Sequence, residues 1–203
     1  MLKRTIILID GGHLRAVARG QDIDFNPNFI EAFAKSVVDG ATEDLLKVLY
    51  YDARPYNGLQ RRPMTGTDFS FKASGDWLDE LAKRDLFAVR LGQLKFRGWV
   101  LKAPEKLTRT PTDDDFKASF EQKGVDMRIG LDIALISSSR IYDRIILISA
   151  DTDIIPALKE ARRAGIQVVL TQLPIKSGRE SRDKLRDELL AHGDFCRQTK
   201  WLT

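Results

Sequence analysis

Asp10 closes the run TIILID, and Asp151 and Asp153 follow directly on RIILIS within ADTD. Both apolar runs read as short strands buried on both faces, because a β-branched stretch is cut off by the paired glycines Gly11 and Gly12 in one case and by polar residues in the other. Ligands of an open parallel sheet gather at the carboxyl ends of its strands, so these three acids from distant sequence are expected at one edge. Carboxylates about 4 Å apart repel by roughly 4 kcal/mol at an effective dielectric near 20, and such a cluster needs either protons or a cation. Mg²⁺ or Mn²⁺ fits: both take oxygen ligands, keep several waters, lower the pKa of one of them and neutralise charge at a phosphate. Phosphodiester hydrolysis is the reaction this chemistry suits.

Each acid has a plainer reading beside this one. Asp151 and Asp153 suit the start of a helix, where a carboxylate caps free N–H groups and meets the positive end of the dipole. Asp10 suits a turn. The recurrence of acids at the same expected edge favours the site. Asp126 and Asp132 share the helix before RIILIS, but at about 100° per residue they point roughly 120° apart, so they are not equivalent ligands unless the helix starts after Asp126.

The elements around these acids alternate. Asn26 or Asn28 caps a helix to about residue 38, LLKVLYYDA is a second strand, and 54–72 reads as a long loop carrying Arg54, Arg61, Arg62 and Lys72. Residues 75–84 form a helix, and FAVRLGQLKFRGWVLK is one strand, or two joined by a turn near Arg97 and Gly98. TPTDDDF makes a turn or helix start, and GVDMRIGLDIALISSS a helix from near Gly124 with Val125, Ile129, Ile133 and Ile136 as its apolar stripe. After RIILIS, Asp153 caps a helix with Pro156 in its first turn and Gly165 beyond its end, and IQVVL completes a second strand-helix-strand unit. The pattern predicts an α/β sandwich with a mainly parallel central sheet flanked by helices. One domain is expected over residues 1–175, with a basic insert at about 54–110, followed by a C-terminal helix at 181–190 and a tail within 176–203.

Composition narrows the function. The 203 residues carry 33 Lys and Arg against 29 Asp and Glu, a formal charge of +4 that by itself identifies no partner. The distribution says more: Arg90, Lys95, Arg97, Lys102, Lys106 and Arg109 are interleaved with Phe96 and Trp99 and opposed only by Glu105, a stretch able to follow a phosphate backbone. Phe96 and Trp99 either stack on bases or pack a sheet face. His13, His192 and the single Cys196 provide no zinc-ligand spacing, and no GxSxG elbow, GxxxxGKS loop or GxGxxG turn is present. No apolar run reaches membrane-span length, and a soluble, cytoplasmic protein is expected.

Together IDGGHL, KGVDMRIGLDIAL and ISADTDIIPALKEARRAGIQVVL resemble the three signatures of NYN domains, specifically the LabA-like branch of the PIN-like nucleases. The resemblance spans most of residues 4–170. It implies a PIN-like three-layer sandwich, a pocket for Mg²⁺ or Mn²⁺, and endoribonuclease activity carried by Asp10, Asp126, Asp151 and Asp153, with Asp132 as the second, less decisive acid of the middle motif. Ser149 matches the serine of the last motif, where it holds a water or carboxylate or is simply a buried serine bonded to backbone. His13 departs from the asparagine that many relatives carry there. Lys123 and Arg128 flank Asp126 and, with Lys95 and Arg97, are candidate substrate contacts, against the ordinary reading of solvated surface charge.

The partner implied is RNA, single-stranded or structured, with room for a homodimer and no membrane. A non-catalytic RNA-binding or protein-interaction module on the same fold is the competing reading. A Toprim-like site would also place DxD after a strand, but it asks for glutamate where Asp10 stands.

Overall fold

A computed structural model describes residues 1–176, 178 and 184–201. Seven strands of the described residues form one sheet: β1 (Lys3–Asp10), β2 (Glu43–Ala53), β5 (Phe87–Leu101), β6 (Phe116–Lys123), β7 (Arg144–Ile148), β8 (Gln167–Gln172) and β9 (Phe195–Gln198), in the order β6-β5-β2-β1-β7-β8-β9. All neighbours are parallel except β5 and β6. The helices are α1 (Gly11–Arg19), α2 (Pro27–Ser36), α3 (Asp76–Leu81), α4 (Val125–Ser139), α5 (Ile155–Arg163) and the single turn α6 (Asp187–Leu190).

The central strands are apolar on both faces because both are covered. Ile6 and Leu8 of β1, with Ile145 and Leu147 of β7, pack under α4 and α5 through Ile129, Ile133 and Leu158. The alternate residues Ile7, Ile9, Ile146 and Ile148 face Leu14 of α1, Ile30 and Phe33 of α2, and Leu78 and Leu81 of α3. Each fully buried aliphatic side chain contributes roughly 1.5–3 kcal/mol by transfer from water, and this two-sided core holds the carboxyl edge of β1 and β7 in place. The three layers are those expected.

Three segments differ from the expectation. A helix follows Asp10 immediately: the Gly11–Gly12 pair opens α1 because a Cβ at Gly11 would collide with the Tyr50 ring, and one at Gly12 would press on Asp10 Oδ1 at 3.2 Å and Gln122 Oε1 at 3.3 Å. The expected loop at 54–72 contains an antiparallel ribbon, β3 (Gly58–Arg61) and β4 (Asp68–Phe71). β5 is the single-strand alternative, 15 residues with a bulge between Phe96 and Gly98, and the unexpected element is its antiparallel partner β6 in the stretch before α4.

The β3–β4 ribbon lies against this β5–β6 hairpin through rings: Phe71 stacks on Trp99 at 5.7 Å and Tyr56 on Phe96 at 6.1 Å, with Phe69 and Phe120 completing the cluster. Phe96 and Trp99 therefore pack a small second core, and Trp99 Nε1 donates to the Arg61 carbonyl at 2.7 Å. Of the helix expected at 181–190, residues 181–183 lie outside the described residues and the remainder turns helical only from Asp187. No described helix is long and apolar enough to cross a membrane.

Candidate active site

Asp10 ends β1, opposite Tyr51 of β2 and one position past the Ile9–Ile148 pair with β7. Its Oδ1 accepts from the His13 backbone N–H at 3.0 Å, so it caps α1. Residue 13 thus contributes through its main chain, a contact that asparagine or histidine supplies equally. Ser149, which is buried, follows β7 and links two acids: its hydroxyl lies 3.5 Å from Asp10 Oδ2 as donor and accepts from the Asp151 backbone N–H at 3.2 Å. Asp151 Oδ1 in turn accepts from the Asp153 N–H at 2.9 Å. Asp153 does not cap α5, which begins at Ile155 without a side-chain cap. The plainer reading of that acid loses its basis.

Asp126 joins this group from the first turn of α4. The helix reaches it because Gly124 turns the chain at φ +78° and because Gly92 of β5 leaves room, where a Cβ would come within 2.5 Å of the Lys123 carbonyl and 2.8 Å of Val125. Asp126 is exposed at this edge. Desolvation, followed by the charges of Asp151, Asp10 and Asp153, pushes it above the ordinary aspartate range. Burial pushes Asp10 up as well, opposed by the N–H groups of His13 and Gly12 and aided by the charges of Asp52 and Asp151. No lysine or arginine of the described residues pairs with Asp10, Asp126, Asp151 or Asp153.

Asp132 is placed elsewhere, since α4 starts before Asp126 and the two acids diverge around the helix. Only 7% exposed, it receives Arg90 Nε at 2.9 Å and Nη2 at 2.7 Å, and the Tyr51 hydroxyl at 2.9 Å. Three donors therefore engage it, and it stands apart from the other candidate acids as the partner of Arg90. Asp52, which the sequence reading did not single out, mirrors it at the end of β2. It is 1% exposed and takes both Arg15 amino groups, at 2.5 and 3.0 Å, the Tyr50 hydroxyl at 3.2 Å and the Ala53 N–H at 2.7 Å. LYYDA carries an aspartate one residue before the strand's end, much as TIILID ends in one, so the signal was visible. Gln122 was missed too: its Oε1 borders Gly12 beside Asp10, while its buried Nε2 has no hydrogen-bond partner.

Of the candidate substrate contacts, Arg97 and Lys123 both pair with Glu121, whereas Lys95 and Arg128 are exposed without a carboxylate partner among the described residues.

The NYN domain family matches residues 4–188. The chain belongs to the NYN domain family. No curated protein and no solved structure matches it. Its seven-stranded, mostly parallel sheet between helices is the PIN-like nuclease fold, a class that generally depends on divalent metal. The donors offered by this NYN domain fit such an ion in kind, being carboxylate oxygens without a cation. Among the described residues no three acidic, histidine or cysteine side chains converge on one point as a closed ligand set.

Proposed function

We propose that this NYN domain, read as one of the LabA-like branch, is an endoribonuclease that depends on Mg²⁺ or Mn²⁺. Asp10, Asp126 and Asp151 hold the ion and Asp153 supports them. The observation that carries this reading is the set of unpaired carboxylates at an edge where the neighbouring aspartates, Asp52 and Asp132, are each saturated by an arginine. Burial and mutual repulsion have already pushed Asp10 and Asp126 toward the neutral form, and a bound cation reverses that pressure. When bound, the ion supplies charge neutralisation at the phosphate and a water of lowered pKa. Within the protein, Ser149 links the Asp10 carboxylate to the Asp151 backbone N–H, the His13 N–H orients Asp10, and Lys95 and Arg128 offer positive charge to the strand.

A circular, labelled RNA tests the activity, because only an endonuclease opens it. The wild type with Mg²⁺ or Mn²⁺ is expected to linearise it, and Asp151→Asn, with an unchanged unfolding transition, is expected to leave it closed. The second reading, a non-catalytic RNA-binding module, draws on the absence of three converging acids among the described residues. It is the correct one if the wild type binds the circle and never cuts it.

A further inference from the structure

A cleft of about 480 Å³ is bounded by Arg15, the partner of Asp52, and by Ala53 next to that aspartate. Its walls come from α1 (Arg15, Arg19), the segment after α1 (Phe25), the segment after β2 (Pro55), α3 (Trp77) and β5 (Leu94), all near the carboxyl edge of the sheet. Three features together describe a ligand. Trp77 is only partly buried and is held by near-perpendicular contacts with Phe25 at 6.2 Å and Tyr50 at 6.1 Å, a rigid aromatic wall. Arg19 is exposed and has no carboxylate partner among the described residues, in contrast to Arg15. Asp24, held by the Asn26 amide at 2.7 Å, adds an acceptor on the same wall. An aromatic face, a free guanidinium and an acceptor are the complements of a base, a phosphate and an exocyclic amine. The volume lies in the range of pockets that enclose a small organic ligand.

We propose that this cleft is a subsite for one nucleotide of the RNA strand, next to the bond that is cut, with its base against Trp77 and its phosphate on Arg19. The placement beside the scissile bond rests on the nuclease reading; occupancy by a nucleotide does not. Arg15 forms the partition: one side of its guanidinium is committed to Asp52, and the charges of Asp52 and Asp10 both act on it. A strand crossing that partition brings the neighbouring phosphate to the unpaired acids.

The test uses the full chain in EDTA, where no cleavage occurs. Adenosine 5′-monophosphate, adenosine and inorganic phosphate are titrated while the indole N–H signal of Trp77, assigned through Trp77→Phe, is followed by NMR. Affinity for a labelled single-stranded decanucleotide is measured in parallel. The expected result is a Trp77 shift with the monophosphate that is lost in Arg19→Gln. RNA affinity should fall about tenfold in Arg19→Gln and in Trp77→Leu, the scale of one base-stacking contact, while Trp77→Phe retains most of it. Arg163→Gln, which removes an exposed charge on α5, should leave RNA affinity nearly unchanged and so controls for net charge. Three results overturn the proposal: no Trp77 shift in the wild type, an equal shift with inorganic phosphate alone, or a monophosphate shift with RNA affinity unmoved in Arg19→Gln. Cleavage is scored separately. An intact subsite on a protein that never cuts RNA refutes the nuclease reading alone, and normal cleavage with the subsite effects missing refutes the subsite alone.

Discussion

Two halves of one sheet edge treat their aspartates in opposite ways. On the β2 and β5 side, Asp52 and Asp132 are almost fully buried and each is gripped by an arginine fork and a tyrosine hydroxyl. Burial, followed by the adjacent aspartate, pushes both tyrosine phenols far above their ordinary range, so they stay neutral donors. At the opposite end of the sheet Glu43 is neutralised in the same manner by Arg144 and Arg197. On the β1 and β7 side, Asp10, Asp126, Asp151 and Asp153 gather with no such partner among the described residues. Arginine thus satisfies Asp52, Asp132 and Glu43, whereas no described arginine or lysine does the same for the four acids of the other half.

The largest expected effect sharpens this contrast through activity. Asp10→Asn or Asp151→Asn should lower RNA cleavage by roughly 10³-fold or more, the scale of removing a group that acts mainly in the transition state, as read from initial rates on labelled RNA. Cleavage that survives both changes would break the distinction between the two halves.

Next in size is the cost of breaking a structural pair. Arg15→Met leaves Asp52 buried without its cation, and urea unfolding should show a loss of about 3 kcal/mol, most of it recovered by adding Asp52→Asn. Arg90→Met should cost less, because Arg90 is the more exposed guanidinium, with 43% of its side chain accessible against 24% for Arg15.

The unpaired half should behave in the opposite sense. Asp10 titrates above its ordinary 3.8 when folded, so the folded state holds the proton longer than the unfolded state. Its contribution to stability is therefore lost as pH rises from about 4 through the folded value. Asp10→Asn removes that loss while retaining an oxygen for the His13 N–H. In metal-free buffer at pH 7 it should raise Tm by about 2–4 °C, the equivalent of roughly 1 kcal/mol in a domain of this size, with the gain shrinking toward pH 4. A Tm unchanged or lowered at pH 7 would mean that Asp10 is satisfied as a carboxylate.

The smallest effect concerns charge at the rim. Lys95→Gln and Arg128→Gln should each weaken RNA binding a few-fold and lower the slope of log affinity against log salt by about 1. Arg97→Gln should do less, since Glu121 already engages it.

How far these features were legible follows from where their partners lie in sequence. TIILID and RIILIS declare themselves because both faces are buried, and the edge rule then places Asp10, Asp151 and Asp153 together without further help. Helical geometry alone separated Asp126 from Asp132, and the structure sends one to the acids and the other to Arg90. Asp52 was passed over because its partner Arg15 sits on α1, a helix that the paired glycines disguised as a turn. Only the Tyr50 ring, which fills the space above Gly11, explains why glycine opens a helix there. The β3–β4 ribbon is short, β6 is half exposed, and both are stabilised by rings contributed from four separate segments, so no local window carries their full signal. Even so, Phe116, Ala118 and Phe120 alternate in β6 as a strand should.

The central claim is that the four unpaired acids form a cation site, and a calorimetric titration of the wild type, Asp10→Asn and Asp151→Asn with Mn²⁺ at neutral pH tests it most directly. The account predicts a saturable isotherm for the wild type and no binding in either variant. A wild type that binds no Mn²⁺, or variants that bind it as tightly as the wild type, would contradict it.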